Sequence, residues 1–318
     1  MNEQVPILLV IFNRPEKTRR VVEALRQVKP AQVFVAADGP RLGHPEDVEK
    51  CRLARQAATD IDWHCDVKTR FLDENLGCGP GVSSGIGWFF EHVEYGVILE
   101  DDCVPHPHFF PFCSELFERY ADDKRIMGIN GLAPYPAREH PYDYHFSQRF
   151  RCCGWGTWRR AWNHFSYDID MIDKAEFLEM VRTYYPFSFH RQPRLRRFER
   201  VISGDLKTWA FRYEVARYAQ NGLIIAPEKN LITNIGFDEH ATHTKNENTV
   251  FANLEVHPLK FPLRHPKFVY ADSRPERSLE KALYRSFSFK SRCGQRLRHA
   301  LGMVKDFIDT MPPIRDSR

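Results

Sequence analysis

The chain has 318 residues, of which 42% are hydrophobic and 28% are charged. This balance excludes bulk disorder and allows one α/β domain with additions, or two small domains. The formal net charge of +4 is weak evidence for any partner, and nucleic acid is not expected as one. None of the eight cysteines forms a Cys-x-x-Cys pair, which argues against a zinc site and favours a reducing compartment. No signal peptide or membrane-spanning run is predicted, so we expect a cytoplasmic protein.

The first hundred residues alternate between strand-like and helix-like segments. Apolar runs of strand length predict four strands, at residues 6–12, 32–37, 64–72 and 95–99. Apolar residues at helical spacing predict helices between them, beginning after Arg14-Pro15-Glu16 and covering residues 48–58 and 81–91. The alternation favours an α/β fold, with a doubly wound and mainly parallel sheet flanked by helices.

The pattern is less regular after Tyr120. Strands are predicted at residues 127–130 and 223–227, and a helix at residues 208–221. Beyond Pro258 the chain is basic, and an apolar stripe through residues 297–308 predicts an amphipathic helix. We therefore expect a main domain over residues 1–257 and a helical basic extension over residues 258–318. The extension could make peripheral contact with an anionic inner membrane, form a dimer, or cover the sheet edge.

Polar residues follow each of the first four predicted strands. They are Asn13-Arg14, Asp38-Gly39, Asn75-Leu76-Gly77 and Glu100-Asp101-Asp102. Because the carboxyl ends of parallel strands meet at one edge of a sheet, we expect these residues to converge on a ligand site. Three successive acids raise one another's pKa unless a cation is present, and Mn²⁺ or Mg²⁺ prefers oxygen ligands. The triplet therefore predicts a metal site that neutralises a leaving diphosphate, with a solvated acidic turn as the alternative.

Four stretches resemble one family. They are VPILLVIFNRP, ADGPR, ENLGCGPGVSSGIGWFFEHVEYGVILEDDCVP and CGWGTWRRAW. They resemble bacterial glycosyltransferases of cell-surface polysaccharide clusters, including lipopolysaccharide. That family is similar in turn to the eukaryotic N-acetylglucosaminyltransferases that build on mannose and carry a Glu-Asp-Asp motif. The resemblance runs from about residue 6 to residue 244.

The resemblance implies a GT-A fold and a nucleotide diphosphate sugar donor, with UDP as the expected nucleotide. It further implies a glycan or lipid-linked acceptor and inversion at the anomeric carbon. Residues of about 1–130 would form the donor half of the main domain, and residues of about 131–257 the acceptor half.

The resemblance also implies roles for individual residues. Those implied to bind the donor are Phe12, Asn13, Arg14, Asp38, Asn75, Gly77, Glu100 and Asp101. Asp102 would ligate the metal, and His243 would reach the diphosphate or complete the metal shell, with an ordinary loop histidine as the alternative. Trp155 and Trp209 are candidates for stacking on an acceptor sugar, with core packing as the alternative. For Arg14 and Asp38 the alternatives are a surface residue at a helix start and a turn former.

The expected proton acceptor is missing. An inverting transfer needs a carboxylate that takes the proton from the acceptor hydroxyl. The resemblance places an Asp directly after the Trp of Thr208-Trp209, where this sequence has Ala210. Three explanations stay open: Asp205 supplies the base, the natural enzyme has lost or changed its activity, or an Asp was deliberately replaced to trap substrate.

Two other functions compete with glycosyl transfer. A sugar nucleotidyltransferase typically has a Gly-rich, Lys-containing loop after its first strand, and no such loop follows Val10-Ile11-Phe12. A catalytically impaired nucleotide-sugar-binding protein is the third possibility, because Ala210 cannot accept a proton. Measurement of sugar transfer alongside UDP binding distinguishes an active transferase from a protein that only binds the nucleotide.

Overall fold

A computed structural model describes residues 5–135, 139–168, 173–185, 188–237, 251 and 253–281. His243 and the predicted helix at residues 297–308 lie outside these ranges. The chain divides into two compact units, Met1–Ser273 and Arg274–Arg318. The predicted boundary after residue 257 stays a prediction, although Leu259 and Leu263 join the core of the first unit. None of the described helices is long and apolar enough to cross a membrane.

Ten strands are described in the first unit. In chain order they are β1 (Ile7–Ile11), β2 (Gln32–Ala37), β3 (Asp66–Phe71), β4 (Tyr95–Glu100), β5 (Cys103–Pro105), β6 (Ile126–Asn130), β7 (Tyr144–Ser147), β8 (Trp155–Trp158), β9 (Leu223–Pro227) and β10 (Ile232–Asn234). The helices between them are α1 (Pro15–Arg26), α2 (Pro45–Thr59), α3 (Cys78–His92), α4 (Phe109–Arg119), α5 (Arg159–Trp162), α6 (Lys174–Tyr184), α7 (Ser188–Ile202) and α8 (Trp209–Ala219).

The large sheet has eight strands in the order β3-β2-β1-β4-β8-β6-β9-β7. Strands β3, β2, β1 and β4 are parallel, and β8 runs antiparallel between β4 and β6. Strand β9 is parallel to β6, and β7 is antiparallel to β9. Six of the eight strands in this sheet therefore share one direction, which confirms the predicted α/β fold with a mainly parallel central sheet. Strands β5 and β10 form a separate antiparallel pair.

Helices cover both faces of this sheet. Strand β1 is buried along its whole length, as its uninterrupted apolar run predicts. Ile7, Leu9 and Ile11 belong to a cluster shared with α1, α2 and α4, whereas Leu8 and Val10 belong to a second cluster shared with α3 and α8. Because successive side chains of a strand point to opposite faces of the sheet, β1 contributes to both clusters. Packing on both faces fixes its position between the two helical layers.

A glycine, which has no side chain, allows α3 to approach β2 closely. A Cβ added at Gly85 would lie 2.9 Å from Cβ of Ala36. Two residues further along, a Cβ added at Gly87 would meet nothing nearer than Trp162 Nε1 at 3.9 Å. The contact at Gly85 therefore sets how closely the middle of α3 packs against the carboxyl end of β2.

These two glycines give a matched pair of substitutions. Gly85→Ala is expected to lower the free energy of unfolding by about 1–3 kcal/mol, because the added methyl group overpacks the contact with Ala36. Gly87→Ala is expected to raise it by up to about 1 kcal/mol, because alanine favours a helix and restricts the unfolded chain. Urea unfolding of both variants measures the difference, and effects of the same sign and size would contradict the packing argument.

Candidate functional site

A cleft of about 1100 Å³ opens at the carboxyl ends of β1, β2 and β4. Its lining includes all eight predicted donor residues, Phe12, Asn13, Arg14, Asp38, Asn75, Gly77, Glu100 and Asp101. In the strand order the sheet grows in opposite directions from β1, towards β2 and towards β4. Open α/β sheets bind ligands at such a switch point. The structure thus brings these residues together in one cleft, and their binding of a donor stays a prediction.

Arg14 is the counter-ion of the acidic triplet. Pro15 opens α1 and leaves Arg14 at the helix start, facing the end of β4. Its Nε lies 3.1 Å from Asp101 Oδ2, its Nη2 donates to Asp101 Oδ1, and its Nη1 lies 2.9 Å from Asp102 Oδ2. The fork of one guanidinium therefore bridges two carboxylates, an arrangement that lysine cannot reproduce.

Burial dominates the electrostatics of this group. Burial raises the pKa of Asp101 to about 6, although the charge of Arg14 pulls it back. Burial and the nearby Asp102 raise the pKa of Glu100 well above its usual range. Burial alone would lower the pKa of Arg14, but the carboxylates of Asp101 and Asp102 raise it above its ordinary value. The arginine stays charged, whereas ionising Glu100 and Asp101 together is costly.

Asp102, the predicted metal ligand, lies directly after the two acids that line the cleft. The segment after β10 passes over it, since Ile235 N donates to the Asp102 carbonyl oxygen at 2.9 Å and a Cβ at Gly236 would overlap Oδ2. Among the residues that the structure describes, no three His, Cys, Asp or Glu side chains converge on a metal position. Magnesium is often held by one or two carboxylates together with substrate phosphates, and Asp102 fits such a partial site.

Asp38 organises the loop that leads into α3. Its Oδ1 accepts hydrogen bonds from Gly39 N at 3.0 Å and Leu76 N at 2.8 Å. Its Oδ2 accepts from Asn75 Nδ2 at 3.1 Å and Gly77 N at 2.9 Å. Gly77 has a φ of 80°, a conformation that favours glycine. Because both carboxylate oxygens are already used twice, a contact from Asp38 to uracil or ribose would compete with these hydrogen bonds.

Asp47 and Arg41 support the cleft, although neither was among the predicted site residues. Asp47 is fully buried in the first turn of α2 and accepts from Arg41 Nε at 2.6 Å and from Asn13 Nδ2 at 2.7 Å. Arg41 also lies over the ring of Phe12, 5.6 Å from its centroid. The network fixes Asn13 and Phe12 at the rim of the cleft. Only the packing of α2 beside β1 reveals it, because Asp47 reads as an ordinary acidic residue of a helix start.

Asp47 should make stability depend on acid. The hydrogen bonds from Arg41 lower the pKa of Asp47 to about 2. The stabilisation of the folded state by ionised Asp47 is fully present above the unfolded-state pKa of about 3.9, and it is lost as the pH falls through about 2. Asp47→Asn is therefore expected to cost about 1–2 kcal/mol at neutral pH, and the difference from the native chain should shrink below about pH 4. Urea unfolding across this range tests it, and a difference that stays constant would contradict the assignment.

Trp155 and Trp209 do not present a stacking surface. Trp155 is fully buried, Trp209 is 2% exposed, and their rings stack on each other with centroids 5.5 Å apart and planes 21° apart. Phe150 and Tyr213 complete the cluster around them. The predicted contact with an acceptor sugar finds no exposed ring face here, because burial of these large apolar rings in the core is the stronger preference.

Ala210 and Asp205 lie near the start of α8. Ala210 is the second residue of the helix and is partly buried, whereas Asp205 is exposed and accepts from Ser203 Oγ at 2.7 Å. Neither is among the described residues that line the cleft. The two regions are nevertheless neighbours, since a Cβ at Gly79 in α3 would lie 3.1 Å from the Lys207 carbonyl oxygen. The position where the resemblance implies a base therefore lies in a segment next to the start of α3, which contributes Cys78 and Gly81 to the lining of the cleft.

No family model matches the sequence, and no curated protein matches it significantly. Among solved structures, the chain is similar to HddC from Yersinia pseudotuberculosis (TM-score 0.31, 11% identity, 52% of this chain and 85% of that chain). HddC complexed with GMP-PN gives a TM-score of 0.30 and 11% identity over 53% and 85% of the two chains. UDP-glucose pyrophosphorylase complexed with UDP-glucose gives a TM-score of 0.34 and 8% identity, over 70% of this chain and 90% of that chain. Similarity at this level does not assign an activity.

Proposed function

We propose that this chain is a metal-dependent, inverting glycosyltransferase that moves a sugar from a nucleoside diphosphate sugar to a glycan or lipid-linked acceptor. The observation that carries the proposal is the convergence of the eight motif residues in one cleft at the switch point of the sheet. The volume is at the upper end for small-molecule sites, as a donor with base, ribose, diphosphate and sugar requires.

The rim of the cleft supplies a surface for the nucleobase. Phe12 and Arg41 already pair ring to guanidinium, and Asp47 holds Arg41 in place. Nucleobases stack on both aromatic rings and guanidinium planes. We assign the base to this rim, beside the loop that Asp38 orders.

The floor of the cleft would contact the sugar and ribose. Glu100 ends β4, Asp101 follows it, and both line the cleft, where they would contact the donor. The raised pKa of Glu100, caused by its burial, keeps it able to donate a hydrogen bond to a sugar hydroxyl. Asp102 would hold Mn²⁺ or Mg²⁺ together with the donor phosphates. When bound, the cation supplies neutralisation of the charge on the leaving diphosphate.

Product analysis tests the proposal. The native chain and its Ala210→Asp variant are incubated with Mn²⁺ and a panel of nucleoside diphosphate sugars, in separate samples with a glycan acceptor and with pyrophosphate, and nucleotide and sugar products are separated. Release of the nucleoside diphosphate with transfer or hydrolysis of the sugar supports a glycosyltransferase, and Asp102→Asn should abolish it. Formation of a nucleoside triphosphate from the donor and pyrophosphate would identify a sugar nucleotidyltransferase instead. Binding without turnover in either form would identify a binding protein.

A further inference from the structure

The contacts of Arg14 leave no open carboxylate pair for a cation. Both oxygens of Asp101 accept from Arg14, and so does Oδ2 of Asp102. The other oxygen of Asp102 accepts from the Cys103 thiol at 3.4 Å. Asp101 and Asp102 are 2% and 9% exposed, so water contributes little to their solvation. The guanidinium therefore does in this state what a metal ion would do, because it neutralises the buried acids.

A divalent cation on Asp102 and this guanidinium would be neighbours of like charge. Their repulsion is strong where water is largely excluded. Cation binding at Asp102 Oδ2 therefore requires the hydrogen bond from Arg14 Nη1 to break. Once a metal ion is bound at Asp102, the ion pairs of Arg14 with these carboxylates are weaker, so a different anionic partner stabilises the guanidinium more.

The position of Arg14 lets its side chain move without its backbone. The carbonyl oxygen of Arg14 accepts from both the backbone N and the Oγ1 of Thr18 at 3.0 Å, which holds the start of α1. The side chain is 22% exposed and lines the cleft. Arginine binds phosphate oxygens through the same planar fork that it now presents to Asp101.

We propose that Arg14 exchanges partners during donor binding: it pairs with Asp101 and Asp102 in the nucleotide-free protein and with the diphosphate once a cation is bound at Asp102. Cation and nucleoside diphosphate then bind cooperatively, and each raises the affinity of the other by the same factor. This inference rests on the proposed function of the site, and it adds that Arg14 suppresses binding of the cation alone.

Manganese binding measured by electron paramagnetic resonance, with and without UDP, tests the exchange. The native chain is expected to bind Mn²⁺ weakly alone and about tenfold or more tightly with UDP. Arg14→Gln should bind Mn²⁺ alone about tenfold more tightly than the native chain, because the competing charge is gone, and should gain much less from UDP. Arg52→Gln is the matched control: it removes an exposed arginine that contacts Glu49 on the surface of α2, away from the cleft, and it should leave binding of Mn²⁺ alone unchanged.

Two results would overturn the exchange: Arg14→Gln binds Mn²⁺ alone no more tightly than the native chain, or the native chain binds Mn²⁺ equally with and without UDP while UDP itself binds. If Arg14→Gln fails to fold, Arg14→Lys replaces it, because lysine keeps the charge but loses the fork and should bind Mn²⁺ alone with intermediate affinity. Failure of UDP to bind any form would refute the proposed function. The comparison of native and Arg14→Gln without nucleotide would still decide whether Arg14 competes with the cation.

Discussion

Asp38→Asn is expected to lower the free energy of unfolding by about 2–4 kcal/mol and to reduce binding of UDP with Mn²⁺ at least tenfold, or about 1.4 kcal/mol. The native carboxylate accepts four hydrogen bonds, from Gly39, Asn75, Leu76 and Gly77. An amide keeps one acceptor oxygen and turns an NH₂ group towards two donors, so part of the loop before α3 loses its anchor. Urea unfolding and calorimetric titration measure the two effects.

The exposed Asp73 lies in the loop before Asn75 and provides the control for Asp38. Asp73→Asn removes the same charge, and as a surface substitution it should change stability by less than about 0.5 kcal/mol. If both substitutions have equal effects, the loss is a general effect of charge rather than of the four hydrogen bonds.

Ala210→Asp is expected to raise sugar transfer by roughly a hundredfold, the usual contribution of a general base. The position is in the first turn of α8, beside the start of α3, and the resemblance described above expects an Asp there. The first turn of α8 contains no acidic residue, so an added carboxylate also interacts favourably with the helix dipole. An increase in rate would therefore not be obscured by loss of the fold. Initial rates at saturating donor, with unfolding curves of the same samples, provide the measurement.

Asp205 is the competing base. It lies in an exposed turn and is held by Ser203. If Ala210→Asp leaves the rate unchanged while Asp205→Asn abolishes transfer, Asp205 is the base and the assignment of position 210 is wrong. If neither substitution changes a measurable rate, the proton is taken by another group.

Most of the parallel strands of the sheet could be predicted from the sequence. Strands β1, β2, β4, β6 and β9 agree with the predicted ranges to within one residue, because apolar runs of this length are buried on both faces. The convergence of polar residues at their carboxyl ends follows from parallel direction alone. This is why eight candidate residues fell into one cleft.

The antiparallel strands could not be predicted in the same way. Strand β8 contains Trp155 and Trp158, and the sequence suggested sugar stacking or core packing for Trp155 but no four-residue antiparallel strand between β4 and β6. Strands β5 and β10 have three residues each, too few for a periodic signal. Their pairing depends on contacts between residues more than a hundred positions apart.

The hydrogen-bond partners of charged residues could not be predicted from the sequence either. Arg14 and Asp38 were predicted to contact the donor. In the structure Arg14 pairs with Asp101 and Asp102, and Asp38 accepts hydrogen bonds from the loop before α3. The pairing of Asp47 with Asn13 requires α1 and α2 to pack together. A sequence motif gives the chemical type of a side chain, whereas the fold determines which neighbour already uses it.

Hydrogen–deuterium exchange with and without UDP and Mn²⁺ tests most directly whether this cleft is the donor site. Binding there should slow exchange in residues 12–17, 38–41, 75–82 and 100–102, which contribute most of its lining, while α6 and α7 remain unchanged. Slowed exchange confined to other segments, or no change at saturating nucleotide and metal, would contradict the account.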